Sequence, residues 1–196
     1  MRTKSYTIYK FDELPEDVKK LVIEKNRDIN VDFDDWCDYV IDDAKEIGKL
    51  MGIDIDRIYY SGFWSQGDGA CFEGDYSYKI GSVKAVRSYA PMDKELHRIA
   101  VELAKAQRKF FFKLSARIKQ SGHYMHEMCT NIEVFDDYGD WVNEYAEESI
   151  KEVLRDYMRW IYKQLEENYE FLTNEDAIIE TLMVNDFEFD EYGNIA

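Results

Sequence analysis

Apolar positions along this chain recur with two different periods, and the switches between them mark its elements. Residues 4–10, KSYTIYK, alternate and are rich in β-favouring side chains, which predicts a first strand. The run LPEDVKKLVIEKNRD then predicts a helix with Pro15 in its first turn and Glu16 and Asp17 beside the positive end of its dipole. Phe33, Trp36, Val40, Ala44, Ile47 and Met51 recur every three or four residues, forming one apolar stripe of a second helix that Gly52 ends. IDIDRIYYSGFW and ACFEGDYSY read as two strands.

Beyond them a long amphipathic helix is predicted, capped by Asp93. Leu96, Ile99, Leu103, Phe110, Leu114 and Ile118 line one face, Arg98, Lys105, Lys109 and Lys113 the other, and the Ser121-Gly122 pair ends it. HYMHEMCTNIEVF predicts another strand and DDYGD a turn. A helix follows over about residues 141–171, with Val142, Ala146, Val153, Tyr157, Trp160, Ile161 and Gln164 on its buried side. Thr173 with Asp176 caps a last short helix, and FEFDEYGN closes the chain as an edge strand. The order β, α, α, β, β, α, β, α, α predicts an α+β fold with a mostly antiparallel sheet of four to five strands packed with amphipathic helices. One domain over residues 1–196 is expected, with an acidic helical C-terminal part from about residue 140.

The glycine-rich segment between the two central strands is the first candidate site. Joining them through QGDG makes a tight hairpin, because Asp68 and Gly69 tolerate the positive φ of a two-residue turn. That register puts Tyr59, Phe63, Phe72, Tyr76 and Tyr78 on the core face, and Tyr60, Trp64, Gln66, Cys71, Glu73 and Asp75 on the outer one. Trp64 beside Gln66, Asp68 and Glu73 makes a stacking platform with polar fingers, suited to a base, a sugar or an arginine of a partner.

Charge changes the picture more than composition does. The net charge of −16 is concentrated: from residue 131 onward there are 19 acidic and 4 basic residues. Residues 32–43 carry six aspartates and no base, residues 133–148 seven acids and no base, and residues 166–191 ten acids and no base. The region 94–119 is, by contrast, basic. In the middle of the 141–171 helix, Lys151, Arg155, Arg159 and Lys163 are spaced by four and flanked by Glu147, Glu152 and Asp156, so that stretch neutralises itself. A field of this sign repels nucleic acid and membranes and attracts basic partners. The acids at the helix ends and in the aspartate run are the candidate partner-binding residues: Asp34, Asp35, Asp38, Asp136, Asp137, Glu144, Glu148, Glu166, Glu167 and Glu170.

Catalytic chemistry finds little support in the sequence. GDG is followed by no Lys-Ser/Thr and no helix, so it is not a phosphate loop. Cys71 has no base beside it in sequence and reads as a small buried hydrophobe. On a strand, His123 and His126 point to opposite faces, and with Cys129 they lack a fourth zinc ligand. Neither aspartate-rich run has the glycine and closing glutamate of a calcium loop. No metal, cofactor or catalytic residue is expected. Three widely spaced cysteines suit reduced thiols, and the start MRTKSYTIYK lacks the apolar stretch of a signal peptide, so a cytoplasmic protein is expected.

YKFDELPEDVK, SGFWSQGDGACFEG, SGHYMHEMC and MRWIYKQLEENYEFLT together resemble a family of small acidic proteins of phages and other bacterial mobile elements, loosely labelled antitoxin-like. The resemblance spans nearly the whole chain and SGFWSQGDGA is its most specific string; Pro15 departs from the Ser or Thr that similar sequences often place before the helix. It implies a phage accessory protein acting in the bacterial host cell, a class that commonly blocks host defence or toxin machinery. Two expectations follow. In the first, carboxylates imitate nucleic-acid phosphates and occupy the basic, nucleic-acid-binding surface of a host nuclease, CRISPR effector or toxin, with a homodimer left open. In the alternative, a small enzyme or ligand-binding module uses the Trp64, Gln66, Asp68 and Glu73 face, with Asp68 or Glu73 as acid or base.

Overall fold

A computed structural model of the chain describes residues 7–140 and 142–196. The fold is α+β, with six helices, a four-stranded antiparallel sheet and a two-stranded sheet among the described residues. The chain divides into two compact units, the smaller made of residues 1–38 and 167–196 and the larger of residues 39–166.

In the smaller unit the two ends of the chain pair. Strand β1 (Tyr9–Lys10) runs antiparallel to β6 (Glu188–Phe189), with Tyr9 opposite Phe189. Helix α1 (Glu16–Lys25) starts after Pro15, which occupies the cap position itself. It packs with α6 (Glu175–Val184) around a core of Phe11, Leu14, Val22, Ile178, Leu182 and Phe189. Residues 4–6 of the expected first strand lie outside the described residues. The cap of α6 is Asn174, whose side chain accepts from the Ala177 amide at 2.8 Å; Thr173, expected in that role, turns its hydroxyl back to the Tyr169 carbonyl. Asn174 fits because the residue must leave helical geometry, and Thr173 still belongs to the last turn of the preceding helix.

The larger unit is built on the sheet β2-β3-β4-β5. Helix α2 (Asp38–Met51) buries Val40, Ala44, Ile47 and Met51 and ends at Gly52, whose φ of 87° suits the left-handed residue after a helix. Phe33 was expected on the same stripe but is 77% exposed, because a 3-10 turn over Asp34–Cys37 precedes the helix and breaks the 3.6 period. Strands β2 (Ile53–Tyr60) and β3 (Ala70–Ser77) follow as expected. Their connection does not: Tyr60 pairs with Ala70, so residues 61–69 form a nine-residue loop in place of a two-residue turn. Neither Asp68 nor Gly69 has a positive φ. Moving the loop by an odd number of positions reverses which residues face each other. Tyr59 therefore lies opposite Cys71 on the outer side, and Ile58 opposite buried Phe72, which corrects the expected placement of Tyr59 and Tyr60. Asp56 is the extra residue of a bulge between Ile55 and Arg57.

Helix α3 (Ser82–Tyr89) is an element the sequence reading missed. Helix α4 (Lys94–Lys109) begins as expected on Asp93, whose side chain accepts from the Leu96 amide at 2.8 Å. It stops at Lys109, and residues expected to continue it form strand β4 (Ser115–Gln120), paired with β3 and β5 (Thr130–Phe135). The break lies at Phe111 and Phe112, both left-handed with φ of 58° and 63°. Ser121 and Gly122 belong to the connection between β4 and β5, and β5 starts only at Thr130, after a 3-10 turn over Glu127–Cys129.

Helix α5 (Glu144–Leu172) carries the chain from the larger unit into the smaller. Trp141, the expected start of this helix, lies outside the described residues, and Val142 and Gln164 are only half-buried. Tyr157 sits edge-on to Phe72 at 6.1 Å, stacks on Trp160 at 5.6 Å and donates its hydroxyl to the Ala44 carbonyl, which ties α5 to both the sheet and α2. One face of the sheet is covered in this way. The other carries the Arg117 guanidinium 3.8 Å from the Asp75 carboxylate across β3 and β4, together with buried Cys71. Among the described residues no helix is long and apolar enough to cross a membrane.

Candidate partner-binding surface

The division into units sharpens the charge pattern. The smaller unit holds 19 acidic and 7 basic residues, a net charge of −12; the larger holds 22 and 18, a net of −4. Within the smaller unit, two acidic segments far apart in sequence meet. The Asn168 side-chain amide donates to the Trp36 carbonyl at 3.0 Å, and the Trp36 ring lies edge-on to Tyr169 at 5.7 Å. Asn30 continues the seam, donating to the Leu172 carbonyl at 2.9 Å and accepting from the Thr181 hydroxyl at 2.7 Å. This packing sets the segment that carries Asp34 and Asp35 against the segment of α5 that carries Glu167 and Glu170; all four are exposed. Asp38 follows at the start of α2, where a carboxylate suits the helix dipole.

The remaining acidic candidates belong to the larger unit and do not form one patch there. Glu144 and Glu166 are separated along α5 by about 33 Å at the usual rise per residue. Asp136 is a turn residue: its Oδ1 accepts from the amides of Tyr138 and Asp140 at 2.9 and 3.0 Å. Asp137 lies 3.9 Å from the Lys113 ammonium, and Glu148 lies 3.8 Å from the Arg155 guanidinium. The middle of α5 is self-neutralised, as its sequence implies. Lys151 pairs with Glu147, and Arg159 pairs with Glu152, with Asp156 and, across to the 3-10 turn, with buried Glu127 at 3.0 Å. Asp156 also takes Arg98 from α4 at 2.8 Å.

The glycine-rich loop is organised by Asp68. Its Oδ2 accepts from the amides of Trp64 and Ser65 at 2.9 and 2.7 Å, and the amide bond from Ser65 foremost holds this carboxyl below the usual aspartate range. The loop is further tied by the Tyr162 hydroxyl, which donates to the Gly62 carbonyl at 3.1 Å, and by Phe63 against the Tyr162 ring at 5.5 Å. Trp64 is 76% exposed at the tip, and Gln66 is exposed as well. Glu73 lies elsewhere, on the outer face of the sheet, where its carboxylate accepts from the Tyr59 hydroxyl at 2.7 Å and the Gln120 amide at 3.3 Å. The structure therefore gathers Trp64, Gln66 and Asp68 in one loop and places Glu73 on a strand. Burial first of all pushes the Cys71 thiol up to about 11. Among the described residues no group of three or more His, Cys, Asp or Glu side chains is arranged to hold a metal ion.

Residues 36–175 match the model of a family described as a domain of unknown function, DUF8835. The chain belongs to this DUF8835 family. Neither the curated proteins nor the solved structures give a match. The DUF8835 match takes in the whole of the larger unit and, from the smaller one, residues 36–38 and 167–175. It also takes in a cavity that the sequence reading passed over, lined by Tyr78, Lys84, Arg87, Arg108 and Phe112 among others. The available signal was a stretch from Lys79 to Met92 with three cations and no acid, inside a strongly acidic chain.

Proposed function

We propose that this DUF8835 protein is an acidic interaction protein that occupies a basic surface of a partner, in the manner of a nucleic-acid backbone. The observation that carries this reading is the packing, through Trp36 with Asn168 and Tyr169, of the segment that carries Asp34 and Asp35 against the segment that carries Glu167 and Glu170, in a unit with a net charge of −12. Clustered exposed carboxylates supply the charge a phosphate-binding groove expects, and Trp36 and Tyr169 fix the segments that carry them. The resemblance to small acidic phage proteins adds the setting: a bacterial host cell, with a nuclease, CRISPR effector or toxin as the partner inhibited.

The test is competition. The full chain, immobilised, is incubated with host lysate, and captured nucleic-acid-binding proteins are challenged with duplex DNA. Capture is expected to fall steeply between about 50 and about 200 mM salt, to be displaced by DNA, and to be lost in the variant Asp34→Asn, Asp35→Asn, Glu167→Gln, Glu170→Gln. Capture that persists in that variant, or that ignores both salt and DNA, overturns the reading.

A further inference from the structure

In the larger unit, cations gather without carboxylates around one cavity among the described residues. Helices α3 and α4 pack together, and beside them, at Tyr78, opens a cavity of about 500 Å³. That volume lies in the range of small-molecule sites. Lys84, Arg87 and Arg108 line it together with Ser82 and Ser88, and no acidic residue does. Among the described residues no carboxylate comes within ion-pair distance of any of the three cations, whereas Arg98 on the same α4 engages three carboxylates. With 41 acidic residues to 25 basic ones, such a triad is unexpected by chance pairing. Three like charges around one cavity repel each other, and a bound anion removes that cost. The start of α3 adds to the field: Gly81 and Ser82 line the cavity, and the helix has no side-chain cap.

The same cavity has an aromatic wall. The rings of Tyr78 and Phe112 are 4.5 Å apart and tilted by 33°. Phe112 reaches this position only because the chain leaves α4 through two consecutive left-handed residues, a conformation that bulky side chains adopt when their surroundings enforce it. Fully buried Gln107 is the enforcing group: its side chain donates to the Leu114 carbonyl at 2.6 Å and accepts from the Leu114 amide at 3.2 Å, while its own carbonyl accepts from the Phe112 amide at 2.8 Å. Strain is thus held at the rim of a cationic cavity, and it presents an aromatic ring there.

We propose that this cavity binds a nucleoside phosphate, with Lys84, Arg87 and Arg108 taking the phosphate groups and the exposed side of Phe112, backed by Tyr78, taking the base. Anion binding by arginine pairs and base stacking on an aromatic face are independent recognitions, and only a ligand carrying both groups satisfies both. The reading is separate from the acidic surface, which lies in the other unit.

Calorimetric titration of the full chain with ADP, adenosine and inorganic phosphate tests it. ADP is expected to bind at least about tenfold more tightly than either fragment. Arg87→Gln and Arg108→Gln are each expected to weaken ADP by about tenfold or more without lowering the melting temperature, and Tyr78→Leu or Phe112→Leu to weaken ADP but not phosphate. Lys119→Gln, an exposed cation on β4 outside the cavity, controls for overall charge and is expected to leave binding unchanged. Absence of ADP binding, ADP binding indifferent to both arginine substitutions, or ADP no tighter than phosphate overturns the proposal.

Discussion

Asp93 joins two elements through one carboxylate: Oδ1 caps α4 at the Leu96 amide, and Oδ2 accepts from the Trp160 indole of α5, each at 2.8 Å. Trp160 is buried, so its N–H has no recourse to water if Asp93 is removed. Asp93→Ala loses the cap and orphans the indole, and is expected to destabilise by about 2 to 4 kcal/mol. Asp93→Asn keeps an oxygen for one partner only and is expected to cost about half as much. Urea unfolding of the three proteins, followed by tryptophan fluorescence, separates these outcomes.

Gln107 makes the turn after α4, and its loss exposes how that turn is held. Gln107→Leu keeps the volume and removes both hydrogen bonds to Leu114, leaving a buried amide and a buried carbonyl unpaired. An expected loss of about 3 kcal/mol follows. Hydrogen exchange of the Leu114 amide, fast in the variant and slow in the parent, checks the location of the effect.

That turn is also where the sequence was least legible. Leu114 and Ile118 fit a helical stripe, but Leu114, Ala116 and Ile118 fit an alternating strand equally well, and both readings bury Leu114 and Ile118. What decides between them is the pair of left-handed phenylalanines, and no glycine or proline announces it. The glycines at 67 and 69 pointed to a tight turn, yet Gly69 is needed where the loop passes close to the backbone of His126. The α+β class, the Asp93 cap and the paired charges of α5 were readable because each depends on residues a few positions apart. The packing of the Asp34–Asp35 segment against the end of α5 was not, since it depends on contacts made across more than 130 positions by Trp36 with Asn168 and Tyr169.

The Asp68 carboxyl provides a pH signature. Its amide bonds from Ser65 and Trp64 favour the charged form, so its folded pKa lies below the 3.8 of a free aspartate. The contribution is therefore present above the unfolded value and is lost as pH falls through the folded one. Carbon-detected NMR is expected to place the Asp68 midpoint below 3.8, with the Trp64 and Ser65 amide shifts moving at the same midpoint. Asp68→Asn should abolish that step; a midpoint at or above the ordinary value contradicts the geometry.

The thiols differ in access. Cys37 and Cys71 are buried and Cys129 is half-buried, and the Cys71 thiol is pushed up to about 11 by burial. At about pH 8, native protein is expected to show one faster-reacting thiol, Cys129, and Cys71 should react on the order of a hundredfold more slowly than an exposed cysteine. All three should titrate after denaturation without reductant. A native Cys71 modified as fast as Cys129 would contradict its burial.

Gly69 and Trp64 lie in one loop and are expected to respond oppositely to substitution. Gly69 is buried, and a Cβ there would meet the His126 Cα at 3.1 Å and Cδ2 at 3.0 Å. The ring can swing aside but the backbone cannot, so Gly69→Ala must push residues 61–69 away from the connection before β5, at an expected cost of about 1 to 3 kcal/mol. The reason is close approach, since the residue has no positive φ to relieve. Trp64 is 76% exposed, and Trp64→Ala is expected to change stability by no more than about 0.5 kcal/mol. Melting curves of the two variants beside the parent decide the matter. A large loss in Trp64→Ala would make the indole a structural plug of the loop, whereas an unchanged midpoint leaves a large aromatic held at the surface by the Asp68 bonds, available for contact with another molecule.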